Sequence, residues 1–261
     1  MAAAIPPPPL LLHARRHGCS RSHPRQEGQT ALSPSRSIQH GPRSWLLDET
    51  TTCNACQEAM EYAPAEPFMF LKPTSSYLAS GGKMEIPEGV LAHHEVELGI
   101  VIGKTGRDIS EAEADSYVAG YALAVDMTGR NVQDHVKKKG LPWTTAKGFD
   151  TFTPIGSFTP REQITDPHNL TLTLKINGAF KQNGSTSAMI FQIPRLIQHI
   201  SSIMTLEEGD LILTGTPEGV SQVSPGNKVE CTLVDTASGK QLASLDFDAV
   251  SRAGGYKFVG L

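Results

Sequence analysis

The sequence predicts a β-rich α/β fold with mixed sheets, and three observations carry that expectation. Short apolar runs with period-two alternation recur between Gly- and Pro-containing turn signals, the pattern of half-buried strands. Only a few segments place apolar residues at helical spacing. Strands and helices do not alternate regularly, which excludes Rossmann and TIM-barrel layouts, and no internal repeat is present.

Taken in order, Phe68-Met69-Phe70-Leu71-Lys72-Pro73 is a short apolar strand stopped by proline. Gly81-Gly82-Lys83 is a turn, and His93 to Ile102 a strongly β-patterned run. Ser110-Glu111-Ala112-Glu113 has capping-box spacing for a helix through about Val118. Tyr121 to Val125 is a buried strand ending in Asp126, and Asn131 to Lys139 a polar helix whose three lysines form a solvated face. Leu170 to Ile176 alternates with period two into Asn177-Gly178, the strongest short hairpin signal. Pro194 opens a helix carrying Leu196, Ile197, Ile200, Ile203 and Met204. Leu211 to Thr214 and Lys228 to Leu233 are further strands.

Two domains of unequal character are expected: a leader over residues 1–57 and a catalytic domain over 58–261. Residues 1–47 hold seven prolines, six arginines, no lysine and one acid, Glu27. Arg-rich, Ser-containing, acid-poor composition is that of an organelle transit peptide. The balance of +5 in that stretch leaves −9 for the rest of a chain whose net charge is −4. An acidic body argues against a nucleic-acid surface. No run of about 18 apolar residues is present, which argues against a membrane span. Cys19, Cys53, Cys56 and Cys231 make no disulfide framework, so a reducing compartment is expected. Cys53-Asn54-Ala55-Cys56 has C-x-x-C spacing but no second pair or βαβ setting to support a redox or metal role.

The chemistry concentrates in three acids. In His93-His94-Glu95-Val96-Glu97-Leu98, strand alternation turns Glu95 and Glu97 to one face while Val96, Leu98, Ile100 and Ile102 take the other. Alone, this pattern also describes an edge strand with one solvated face. Asp126 ends a buried strand, where an unpartnered carboxylate is costly. The three would make an oxygen site for Mg2+ or Mn2+. Arg130, Gln133 and Lys147 follow and suit carboxylate recognition and oxyanion stabilisation. Thr214-Gly215-Thr216-Pro217-Glu218-Gly219-Val220 is a Gly-rich turn without the lysine and helix of a phosphate loop.

His93 to Gly99, Asp126-Met127-Thr128, Lys137 to Trp143, Ala146-Lys147 and Thr214 to Pro217 occur in this order. Together they resemble the fumarylacetoacetate hydrolase superfamily from about Glu58 to about Asp248. The resemblance implies a β-roll core, a homodimer and bound Mg2+ or Mn2+. It makes Glu95, Glu97 and Asp126 the metal ligands and Lys147 the catalytic lysine, with Arg130, Gln133 and Thr216 contacting substrate. The implied substrate is a small 2-oxo acid chelated through its carboxylate and keto oxygens, with charge developing as a metal-stabilised enolate. Oxaloacetate decarboxylation and acylpyruvate hydrolysis are the implied reactions. Isomerisation or decarboxylation of hydroxylated dienedioates is the alternative within the superfamily.

One departure stands out. Members carry a strand and a Gly-Arg-Asn-Tyr segment, then a His and, three residues on, a Glu that together activate water. Here Glu58 falls at the Glu, Ala55 falls at the His, His40 is too distant, and residues 1–54 show no counterpart of the strand. Either a different first exon is joined near Cys56 or the dyad is lost. Loss would impair hydrolysis more than decarboxylation, or leave a catalytically impaired protein that binds metal and carboxylates. The expected location is the mitochondrial matrix, with cytoplasm and plastid as alternatives.

Overall fold

Leu170, Leu172, Leu174 and Ile176 are buried while the residues between them are half-buried, as period-two alternation over one covered face requires. The same logic builds most of the chain. The structure, a computed structural model, describes residues 65–260 and the backbone of 45–48. In chain order the strands begin with β1 (Trp45–Asp48), β2 (Met69–Leu71), β3 (Tyr77–Ala79), β4 (Gly82–Ile86), β5 (Ala92–His94) and β6 (Val96–Ile102). After helix α1 (Glu111–Ala114) come β7 (Val118–Val125), β8 (Thr128–Gly129), α2 (Arg130–Lys138) and α3 (Thr144–Lys147). Then follow β9 (Thr153–Pro160), β10 (Leu170–Ile176), β11 (Ala179–Ser185) and α4 (Ile193–Ile203). The last strands are β12 (Leu211–Leu213), β13 (Ser221–Val223), β14 (Lys228–Asp235) and β15 (Gln241–Ser251).

Among the described residues the strands form three sheets. The largest runs β2-β1-β12-β6-β7-β9-β3, the second β11-β10-β14-β15-β4, and the smallest β13-β5-β8. The β1–β12, β3–β9 and β4–β15 pairs are parallel and the rest antiparallel, so the sheets are mixed, as expected. Val96, Leu98, Ile100 and Ile102 face the main core with Leu123, Val125 and Ile212. The opposite face of the same strands holds a smaller apolar cluster of Phe70, Ala122, Ala124, Leu211 and Leu213. Helix α4 adds Ile193, Leu196, Ile197 and Ile200 to the buried set, each burial contributing about 1.5–3 kcal/mol.

Two local expectations are corrected. The helix opened by Ser110 stops at Ala114, and a single 3-10 turn over 115–117 leads directly into β7, which draws Val118 into the ladder. The run from His93 to Ile102 is not one strand: β5 pairs with β8 and β13, whereas β6 pairs with β7 and β12. The chain changes sheet at Glu95, so this carboxylate sits at the seam. Strand β1 lies in the large sheet, parallel to β12. Glu58, Ala55, His40, Cys19, Cys53 and Cys56 lie outside the described residues.

Candidate metal and 2-oxo acid site

Register brings the acids together. Val96 pairs with Val125 and Glu97 with Ala124. One step further the Asp126 N–H donates to the Glu95 carbonyl at 2.8 Å, setting Asp126 opposite Glu95. Glu95, Glu97 and Asp126 therefore share one face, and all three are buried, at 4%, 1% and 1% exposure. A solvated edge is excluded. One oxygen from each lies within 4.8 Å of the others, so the set could hold a metal ion.

Their electrostatics differ. Burial pushes the Glu95 carboxyl up, but Lys147, Arg130 and the Thr128 hydroxyl outweigh it and hold it at about 2. Burial, then the neighbouring charges of Asp126 and Glu95, pushes Glu97 well above the ordinary carboxylate range. Its one described hydrogen bond comes from the Gly215 N–H, at 2.7 Å. Repulsion among three buried carboxylates, in an all-oxygen donor set, is what a hard divalent cation relieves. The residues fit such an ion.

Cations meet two of the three acids, Glu95 and Asp126. The Lys147 amine donates to Glu95 Oε2 at 2.9 Å and Asp126 Oδ2 at 2.5 Å, and lies 4.9 Å from the centre of the Phe70 ring. Trp143 packs against Phe70 with ring centres 5.7 Å apart, giving the site an apolar wall. The C-terminal end of α3 carries Lys147 inward, fully buried. Arg130, at the start of α2, donates to Glu95 Oε1 and to Gln133 Oε1. Thr128 also donates to Glu95 Oε1, at 2.9 Å. Thr216 reaches the cluster from the loop after β12, its hydroxyl donating to the Val96 carbonyl at 2.8 Å.

Two features escaped the sequence reading. Lys72 is 2% exposed, donates to Asp126 Oδ1 at 2.7 Å and Met127 O at 3.2 Å, and also meets the Lys147 carbonyl. Burial pulls its amine below the ordinary lysine value, against the pull of Asp126. The signal available was the Lys-Pro stop itself: a lysine closing an apolar strand. The second is a neutral chain of His94, Gln182 and Ser221 behind Thr216. Burial lowers His94 to about 4, so its ring is neutral near pH 7.

Residues 47–247 match the family described as fumarylacetoacetate (FAA) hydrolase C-terminal. The chain is 54% identical over 206 residues to the mitochondrial oxaloacetate decarboxylase of Dictyostelium discoideum, covering 76% of this chain and 91% of that protein. It is 53% identical over 167 residues to the mitochondrial oxaloacetate tautomerase of Homo sapiens, covering 64% and 76%. Among solved structures, a yeast fumarylacetoacetate hydrolase family protein superposes with a TM-score of 0.75 at 34% identity, covering 84% of this chain and 97% of that one. A 5-carboxymethyl-2-hydroxymuconate delta-isomerase from Mycobacterium smegmatis superposes with a TM-score of 0.70 at 32% identity, covering 81% and 80%. Fold, acidic face and sequence agree: this chain is an enzyme of the fumarylacetoacetate hydrolase family.

Proposed function

We propose that this enzyme acts on oxaloacetate in the mitochondrion, interconverting its keto and enol forms and releasing CO2 from it, with Mg2+ or Mn2+ held by Glu95, Glu97 and Asp126. The observation that carries the reading is the buried three-carboxylate face with Lys147 and Arg130 at its edge. When bound, the metal would supply Lewis-acid polarisation of the 2-oxo group. The relatives' names supply oxaloacetate and the mitochondrion.

Both reactions share one requirement: negative charge that develops on the keto oxygen must be stabilised as a proton or a carboxyl group leaves the neighbouring carbon. Lys147 is assigned to that task, its amine being placed to donate a hydrogen bond or carry a proton. Arg130, backed by Gln133, is assigned to the substrate carboxylate, a geometry its planar fork suits. Lys72 braces Asp126 and the Lys147 backbone, and Phe70 with Trp143 excludes water from that side. The working unit we expect is a homodimer.

Acylpyruvate hydrolysis is the further activity we propose to test, since the same polarised 2-oxo group would serve it. It also needs an activated water, for which Glu58 is the assigned residue. A hydroxylated-dienedioate isomerase is the second reading, favoured by the likeness to the M. smegmatis isomerase. The deciding experiment follows enol absorbance and pyruvate formation from oxaloacetate, with acetylpyruvate in parallel. Turnover of oxaloacetate that EDTA abolishes and Mg2+ or Mn2+ restores is expected. A protein that binds Mg2+ yet turns over neither substrate would overturn the reading and leave the impaired homologue.

A further inference from the structure

Strand β11 is mostly exposed or half-exposed, yet Gln182 at its centre is 1% exposed. Its amide is oriented without ambiguity by its partners. A backbone N–H can only donate, so the atom 3.0 Å from the Val96 nitrogen is the amide oxygen. A carbonyl can only accept, so the atom 2.8 Å from Pro217 O is the amide nitrogen. That nitrogen also donates to Thr216 Oγ1 at 2.7 Å. The oxygen also meets His94 Nδ1 at 2.8 Å, which assigns the ring proton to Nδ1 and leaves Nε2 to Ser221 Oγ, 2.8 Å away. Two donors and two acceptor positions are thus all engaged.

The loop over 214–220 is held from two sides. On one side it is bonded to the metal-carboxylate strand: Thr214 to the Leu98 carbonyl, Gly215 to Glu97 and Thr216 to the Val96 carbonyl. On the other it rests on β11, with no room to spare. A Cβ on Gly184 would lie 2.3 Å from the Pro217 ring, and one on Gly219 2.1 Å from the Lys181 carbonyl. The Gln182 side chain bonds both the strand, at the Val96 N–H, and the loop, at Thr216 and Pro217. Because Thr216 Oγ1 donates to Val96 and accepts from Gln182, its hydroxyl proton is committed within the protein.

We infer that Gln182, oriented by the Val96 N–H and the Pro217 carbonyl, is a positioning residue that fixes the 214–220 loop against Glu97 and so sets substrate affinity at that loop. It touches no substrate itself. The inference rests on the proposed function for its kinetic readout, and has a second readout that does not. Gln182→Glu keeps the oxygen that Val96 and His94 need, but sets an acceptor against Thr216 Oγ1 and Pro217 O.

In the full chain loaded with Mn2+, Gln182→Glu should raise the KM for oxaloacetate about tenfold with kcat within about threefold, the scale of one or two lost hydrogen bonds. Mn2+ affinity should stay within about twofold, and amide exchange across 214–220 should rise about tenfold while β10 is unchanged. Gln182→Met, of similar length and uncharged, takes its place if the glutamate variant does not fold. An unchanged KM in a folded variant overturns the inference. So does a joint fall of kcat, Mn2+ affinity and thermal midpoint, which marks a merely structural role. If the wild-type protein leaves oxaloacetate untouched, the functional reading fails alone. Exchange in the loop then decides this one: unchanged exchange overturns it and faster exchange supports it.

Discussion

Lys72, Lys147 and Arg130 meet Glu95 and Asp126 in a largely buried charged cluster, whereas beside it His94, Gln182, Thr216 and Ser221 form a neutral chain of hydrogen bonds. The two regions solve different problems. Buried charges are costly unless every partner is in place, and a fold retains them where chemistry needs a strong field. A satisfied neutral network adds little field but fixes geometry. Glu97 shows the difference inside the charged region: among the described residues it joins no salt bridge, and its carboxyl is driven up.

The largest expected effect tests this contrast directly. Glu97→Ala removes a proposed metal ligand but no ion pair, so the chain should fold while losing about a thousandfold or more in metal-dependent turnover, equivalent to about 4 kcal/mol. Steady-state kinetics with Mg2+, beside Mn2+ binding, measures it. Full activity in that variant would remove Glu97 from the ligand set.

Removing a cation should act on stability instead. Lys72→Met leaves Asp126 Oδ1 and the Met127 and Lys147 carbonyls without their donor, at a cost of about 3–5 kcal/mol for breaking one side of a buried pair. Gln182→Met, in the neutral region, should cost about 1–3 kcal/mol. Urea unfolding of both variants ranks them. If Lys72→Met is the milder, the charged cluster is not held by pairing and the comparison collapses.

The contrast also explains what could be read from sequence. Two glutamates on alternate residues, an aspartate ending an apolar strand and a lysine in a small-residue segment are conspicuous by type, and three of the four are set by one register. Alternation correctly put Val96, Leu98, Ile100 and Ile102 on the face opposite Glu97. It could not show that both faces are covered, because coverage comes from elements distant in the chain. Lys72 sits 54 residues from Asp126, and Gln182 sits 88 from His94 in a stretch whose neighbours are polar and exposed. No local period marks such residues; only the sheet order joins them. Hydropathy does not record a change of sheet, so the sequence pattern alone places Glu95 within one continuous strand.

Acidity gives the smallest and most selective test. Glu97 holds its proton to a higher pH when folded than its ordinary value of 4.5. Between those two values the folded chain binds more protons than the unfolded one, so stability of the metal-free protein falls as pH rises. Glu95 runs the opposite way: with a folded value of about 2, its contribution is complete above the ordinary 4.5 and is lost as pH falls toward about 2. A divalent cation requires ionised Glu97, so binding should release a proton, and Mn2+ affinity should weaken by up to about tenfold per pH unit below the raised value. Calorimetric titration at about pH 5.5 and about 7.5, in buffers of different ionisation enthalpy, counts that proton. Glu97→Gln should abolish the release, while Gln182→Met, lying in the region without titrating acids, should leave it unchanged. Proton release that survives in Glu97→Gln would place the titrating group elsewhere and erase the distinction between the two regions.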